Sequence, residues 1–263
     1  MDNFGARMYG STMARFLSPD PLLNSGRPDD PQSWNRYAYV RNNPLNRVDP
    51  TGLHDLQNNC ASGDKKCNKQ FEQNAKNLKN GLSDLQKKVD KLKDGAEKTR
   101  LQNSLKALGT EGDHNNVGVT FGALAGNAAG NTQPSVDAAG NLSFTVTFDP
   151  SKISSQDDIA IAAAHEGTHV SDISDPRFAN NATSLSFFQL EYRGYQTSAW
   201  AAQALGESSL SIGKDVIWNS SWGAADHLTL QDKGITNHVI GLDKPGQKDP
   251  PHAETTPHNP WDN

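Results

Sequence analysis

Two histidines four residues apart, with a glutamate beside the first, constrain this chain more than any other feature: His165, Glu166 and His169 in the run H-E-G-T-H. If the run is helical, residues four apart share one face, so both imidazoles point to the same place. The preceding residues, 159–164, are small or apolar, which suits a buried helix. Upstream, Ser154 with Asp157, or Ser155 with Asp158, supplies an acidic variant of the capping box. The pattern therefore predicts a helix that starts at Ser154 or Ser155 and runs through Val170, a rigid mount for ligands. The residue types fit one chemistry well. Imidazoles bind zinc, zinc lowers the pKa of its bound water, and a neighbouring carboxylate takes the proton without ligating the ion. The competing reading is a helical surface with two chance histidines.

A zinc site of this kind needs a third protein ligand, and two residues qualify. Glu191 lies twenty-two residues after His169 in a second helical stretch, and its segment E-Y-R-G-Y-Q resembles the glutamate-bearing helix of zinc peptidases. Asp175 falls on the last position of the metzincin pattern H-E-x-x-H-x-x-G-x-x-H/D, but Asp172 stands where that pattern has the glycine that turns the chain back. Glu191 is the preferred ligand. Asp172 is read as a third possibility, or as a group that accepts a hydrogen bond from a ligand histidine, or as simply solvated. Donors for an oxyanion are sought among Tyr192, Tyr195, His227 and His238. Tyr195 is favoured because it shares a helical face with Glu191, and His227 because it sits beside Asp226 in A-D-H-L. Trp200, Trp218 and Trp222 read as core or cleft wall.

The rest of the chain is organised around this region. Residues 68–108 carry apolar side chains at Phe71, Ala75, Leu78, Leu82, Leu85, Val89, Leu92 and Ala96. Alternating steps of four and three make this a heptad seam; Gly81 and Gly95 allow a bend or a helical hairpin. The seam is read as packing. Residues 117–124 suit a short strand, 127–140 a loop, and L-S-F-T-V-T-F at 142–148 a half-buried strand. A helix is predicted from Ser184 to about Glu207, with short helical pieces at 213–219 and 224–233. The Pro-, His- and Asn-rich end from Lys244 reads as a mobile tail.

Bulk properties narrow the function classes. A net charge of -5 argues against a dedicated nucleic-acid binder, which carries a basic excess. No run of eighteen apolar residues spans a membrane, and the first residues, MDNFGARMYGSTMARF, lack the basic-then-apolar form of a signal peptide. Cys60 and Cys67 are too few for a zinc knuckle and read as two unrelated thiols or one small disulfide.

Residues 1–53 differ in composition from everything after them. They are rich in turn signals such as P-D-P-L, N-N-P-L-N and V-D-P-T-G, with one possible strand at 34–40, and hold too little apolar mass for a core. The pieces F-G-A-R-M-Y-G, G-S-T-M-A-R-F-L-S-P-D-P, N-R-Y-A-Y-V-R-N-N-P-L-N and V-D-P-T-G-L resemble the end of the Rhs/YD-repeat core, which precedes a variable C-terminal toxin domain. The resemblance implies an aspartic autoprotease with Asp20 and Asp49 as paired carboxylates and a cut after Leu53. Two close carboxylates sharing a proton are the physical basis of such a cut. In this chain the first copy reads D-P-L-L at 20–23 where the family pattern is D-P-x-G.

Taken together, the expected fold is α+β. A mainly helical, zincin-like metallopeptidase domain with a small β-sheet (111–243) follows a short Rhs core-end segment (1–53) and a heptad-patterned helical region (54–110), and a flexible tail (244–263) ends the chain. The expected function is a Zn2+-dependent metallopeptidase toxin that hydrolyses amide bonds in a protein or peptide of a target cell. The resemblance further implies production in the cytoplasm, delivery by secretion machinery of the type VI kind through the parent Rhs core, and a cognate immunity protein; neither nucleic acid nor a membrane is an expected partner. A metal-dependent nuclease, another zinc hydrolase, and a non-catalytic domain in which zinc only staples two helices stand as alternatives.

Overall fold

The computed structural model describes residues 2–3, 8–10, 12–13, 15–17, 35, 37, 47–48, 55–61, 63–109, 116–136, 142–178 and 185–242. Asp20, Asp49 and Leu53, most of the strand expected at 34–40, and the tail from Lys244 lie outside them. In chain order the elements are β1 (Asp2–Asn3), β2 (Met8–Gly10), β3 (Arg15–Phe16), β4 (Arg47–Val48), β5 (Asp55–Gln57), α1 (Lys65–Val89), α2 (Ala96–Leu108), β6 (Val117–Phe121), β7 (Gly130–Val136), β8 (Leu142–Phe148), α3 (Gln156–Ser174), α4 (Phe187–Leu205), β9 (Ser209–Ile212), β10 (Asp215–Asn219) and α5 (His227–Leu242). The class is α+β, with five α-helices and a small mixed sheet among the described residues. None of these helices is long and apolar enough to cross a membrane.

The chain forms two compact units, residues 1–76 with 109–151 and residues 77–108 with 152–263. The first holds a three-stranded antiparallel ribbon, β1-β2-β3, and a five-stranded sheet ordered β4-β5-β6-β8-β7. Strands β5, β6 and β8 run parallel, with Val119 opposite Val146 and Val117 opposite Phe144. The alternation read in residues 142–148 is realised: Phe144, Val146 and Phe148 are buried while Ser143, Thr145 and Thr147 are not. Phe121 packs edge-on against Phe71 and lies 6.4 Å from Phe148. Cys60 and Cys67 form a disulfide with Cα atoms 5.7 Å apart, and Asp64 caps α1 by accepting the backbone N–H groups of Lys66 and Cys67.

Two sequence readings need correction. Residues 130–136, expected within a loop, form strand β7, which pairs antiparallel with β8 along its whole length. The strand is an edge, exposed over most of its length and interrupted by Pro134, so its backbone pairs without any apolar alternation to announce it. Residues 213–219, expected to be helical, belong to the hairpin β9-β10, whose two-residue turn is Gly213-Lys214 with Gly213 at φ 61°. The flanking S-L-S-I and D-V-I-W-N segments bury alternate residues only in part, and a glycine-led two-residue turn was the available signal.

The second unit is built on helices. The seam expected over 68–108 belongs to two helices, α1 running unbroken through Gly81 and ending at Val89 before Gly95, so the hairpin alternative is the one formed. Leu85 and Val89 of α1, Leu101 and Leu105 of α2, Ala160, Ile161 and Ala164 of α3, and Ala201 and Ala202 of α4 share one apolar cluster. Alanines on α3 and α4 let the helices approach closely, which large side chains would prevent. A second cluster joins Ala199 of α4 and Ile217 of β10 to Ile235 and Val239 of α5. Both site-bearing helices start at serine caps, the first at the expected Ser155 and the second at Ser186, two residues after the expected start at Ser184. Ser155 accepts the Asp158 N–H at the start of α3, and Ser186 forms a full capping box with Gln189 at the start of α4. Gly206, left-handed at φ 91°, ends α4.

Candidate metal centre

Helix α3 carries His165, Glu166 and His169, and α4, packed against it, carries Glu191. The two imidazoles meet at Nε2 to Nε2 3.0 Å. Glu191 straddles them, with Oε2 3.5 Å from His165 Nε2 and Oε1 3.5 Å from His169 Nε2. One donor atom from each residue lies within 4.8 Å of the others, and this trio could hold a metal ion. Four-coordinate zinc takes nitrogen and oxygen ligands at 2.0–2.2 Å, which sets neighbouring donors roughly 3.3–3.5 Å apart. The spacing of the trio is close to that figure, and two imidazoles with one carboxylate are a borderline donor set of the kind zinc accepts.

Glycines allow this approach at both helix surfaces. A Cβ on Gly194 of α4 would stand 2.7 Å from His165 Cε1, so no other residue admits the ring there without a shift. A Cβ on Gly167, inside H-E-G-T-H, would stand 2.4 Å from the Ser104 backbone oxygen of α2. Ser104 and Thr168 both donate hydroxyl hydrogen bonds to the Ala164 carbonyl, at 2.5 and 2.8 Å, so the backbone next to His165 is held from two sides.

Burial governs the electrostatics. At His169, burial and then the neighbouring His165 lower the pKa to about 4. At His165 burial acts in the same sense, but the hydrogen bond and charge of Glu191, with the charge of Glu166, outweigh it and raise the pKa. For Glu191, burial acts to raise the pKa, and the hydrogen bond and charge of His165, followed by His169 and His238, bring it below the usual carboxylate value. Tyr195 is pushed well above an ordinary tyrosine, first by burial and then by the Glu191 and Glu166 carboxylates, so its phenol keeps its proton and remains a hydrogen-bond donor.

The structure separates the sequence candidates. Tyr195 packs edge-on against His165, ring centres 4.5 Å apart. Glu166 is buried beside the trio and acts electrostatically on His165 and Tyr195. Asp175 is not part of the cluster: it caps the C-terminus of α3 and is held by the Arg177 guanidinium at 2.6 Å. Asp172 makes a buried bidentate pair with Arg193 of α4, at 2.6 and 2.9 Å, rather than one with His165 or His169. Tyr192 donates to Asp232 at 2.6 Å.

His227 is displaced from the site. Its Nδ1 lies 3.0 Å from the Ala224 carbonyl at the start of α5, and the charge that it meets is Glu97. It precedes His238 by eleven residues on α5, about 16 Å along the axis. His238, which the A-D-H-L context of His227 had eclipsed, is the histidine at the site. Its ring is 4.8 Å from that of Tyr195, and its Nδ1 is 3.5 Å from Asp215 Oδ2 of β10. His238 was among the four candidate donors, whereas Gly194, Ser198 and Arg193 were not singled out. All three sit within seven residues of Glu191, a signal that could be used only once α4 was known to face α3.

No family model matches the chain, and neither a curated protein nor a solved structure matches it. The functional reading therefore rests on the residues and their geometry.

Proposed function

We propose that the chain is a zinc-dependent metallopeptidase effector of zincin type, with His165, His169 and Glu191 as the metal ligands. The observation that carries this reading is the trio of donors spaced for one ion, with a second, non-ligating carboxylate, that of Glu166, buried on the residue after His165. When bound, zinc would supply Lewis acidity toward a carbonyl and lower the pKa of a water. The chain supplies the rest. Glu166 accepts the proton of the attacking water and delivers it to the departing amine, a transfer of the kind that contributes about 10²–10⁴-fold. Tyr195, kept protonated, donates a hydrogen bond to the oxygen of the tetrahedral adduct, with the His238 ring against it. Asp172 and Arg193 tie α3 to α4 and so hold the ligands of both helices in register.

The biological setting is proposed on the motifs of residues 1–53. As the end of an Rhs core, that segment would be cut after Leu53 by Asp20 and Asp49 and would release the domain as a toxin delivered into a target cell, with a cognate immunity protein in the producer. The biochemical reading is tested with the full chain, an unstructured protein and a nucleic acid as substrates. Zinc-dependent hydrolysis of the protein, abolished by a chelator and restored by zinc, is expected. Cleavage of the nucleic acid alone would replace the peptidase reading with the nuclease one.

A further inference from the structure

Glu191 is not the only residue of α4 turned to His165. Gly194 and Ser198 follow it at three and seven residues, one stripe of the helix. Gly194 leaves room for the ring. Ser198, 3% exposed, places its Oγ 3.3 Å from His165 Nδ1. The same hydroxyl donates to the Gly194 carbonyl four residues earlier, at 3.2 Å.

A serine hydroxyl has one proton and two lone pairs. With its proton on the Gly194 carbonyl, Ser198 offers the imidazole only a lone pair, so His165 must donate from Nδ1. A neutral imidazole that carries its proton on Nδ1 has its lone pair on Nε2. Nε2 is the atom facing His169 and Glu191. The geometry points to Ser198 as a positioning residue that fixes the tautomer and ring orientation of His165 for metal binding. This assignment rests on the proposed metal site and adds to it a residue that touches neither metal nor substrate. Partners of this kind typically account for about 10- to 100-fold in metal affinity.

Thr197 provides the matched control. It is also buried, and its hydroxyl also donates to the carbonyl four residues back, Arg193 at 2.9 Å, without touching His165. Zinc affinity of the full chain is measured by chelator competition for wild type, Ser198→Ala, Thr197→Ala and His165→Ala, with thermal unfolding of each metal-free protein as a check of folding. Ser198→Ala is expected to bind zinc about 10- to 100-fold more weakly, and Thr197→Ala as wild type does. In nitrogen-15 NMR of the zinc-loaded protein, the His165 Nδ1–H is expected to exchange slowly in wild type and rapidly in Ser198→Ala. Ser198→Cys, close in size with a weak acceptor, serves in the same direction if the alanine variant does not fold. Wild-type affinity in the Ser198 variant, or an equal loss in Thr197→Ala, overturns the assignment while His165→Ala still reports on the metal site. Failure of the wild-type chain to bind zinc overturns both.

Discussion

The apolar cluster around Leu85, Val89, Leu101 and Leu105 and the contact between α3 and α4 bury their residues with different chemistry. Leu85 and Val89 of α1 lie in one cluster with Leu101 and Leu105 of α2, all of them apolar and almost fully buried. On α3 and α4 the buried residues include His165, Glu166, His169, Asp172, Arg193, Thr197 and Ser198. Burying charge is costly, and replacing a buried ion pair by apolar residues is often neutral or stabilising. Stability alone therefore accounts for the first seam and not for the second. Buried polar groups with perturbed pKa values are a mark of functional sites, and here the shifted groups include His165, His169 and Glu191, the trio that could hold a metal ion. The apolar cluster also takes in Ala160, Ile161 and Ala164 of α3 and Ala201 and Ala202 of α4, so the polar contact is built on helices that the apolar one anchors.

That contrast can be broken at several points. The largest effect is expected from Glu191→Ala, which removes the proposed third ligand. Zinc binding, read by chelator competition, should fall by more than the roughly 10- to 100-fold that loss of a ligand's partner costs. Retained affinity would move the third ligand elsewhere. Next is Asp172→Ala, which leaves the Arg193 guanidinium buried without its bidentate partner. Denaturant unfolding of the metal-free protein should show a loss of about 3–5 kcal/mol, and an effect near zero would mean that the pair is solvated. Leu101→Ala in the apolar seam should cost about 2–5 kcal/mol through its cavity while the folded fraction keeps wild-type zinc affinity. A selective loss of zinc there would erase the distinction between the seams. The smallest effect is expected from Asp175→Ala. Its pair with Arg177 is largely exposed, so stability should change by less than about 1 kcal/mol and zinc affinity not at all.

Much of the second seam was legible because local signals and chemistry coincided. H-E-G-T-H marks a helix face and a pair of candidate ligands at once, Ser155 marks the start of α3, and Glu191 falls on the helix expected from Ser184, whose cap is Ser186. What was not legible depends on contacts between distant segments. His238 comes to Tyr195 through the packing of α5 on α4, and Asp215 reaches it from a hairpin that sequence pattern read as helix. His227 was favoured because Asp226 stands next to it, yet adjacent residues on a helix point in different directions. Asp172 was weighed against the histidines of its own helix, whereas its partner is an arginine twenty-one residues away on another. Strand β7 escaped because an exposed edge can pair through its backbone with polar side chains throughout.

The most direct test of the central claim is Glu166→Gln, which keeps the shape of the side chain and removes its capacity to take a proton. Zinc content and hydrolysis of a protein substrate are measured on the same preparation. One retained equivalent of zinc with hydrolysis reduced by about 10²–10⁴-fold is the predicted result. Undiminished hydrolysis by the zinc-loaded variant would contradict the account.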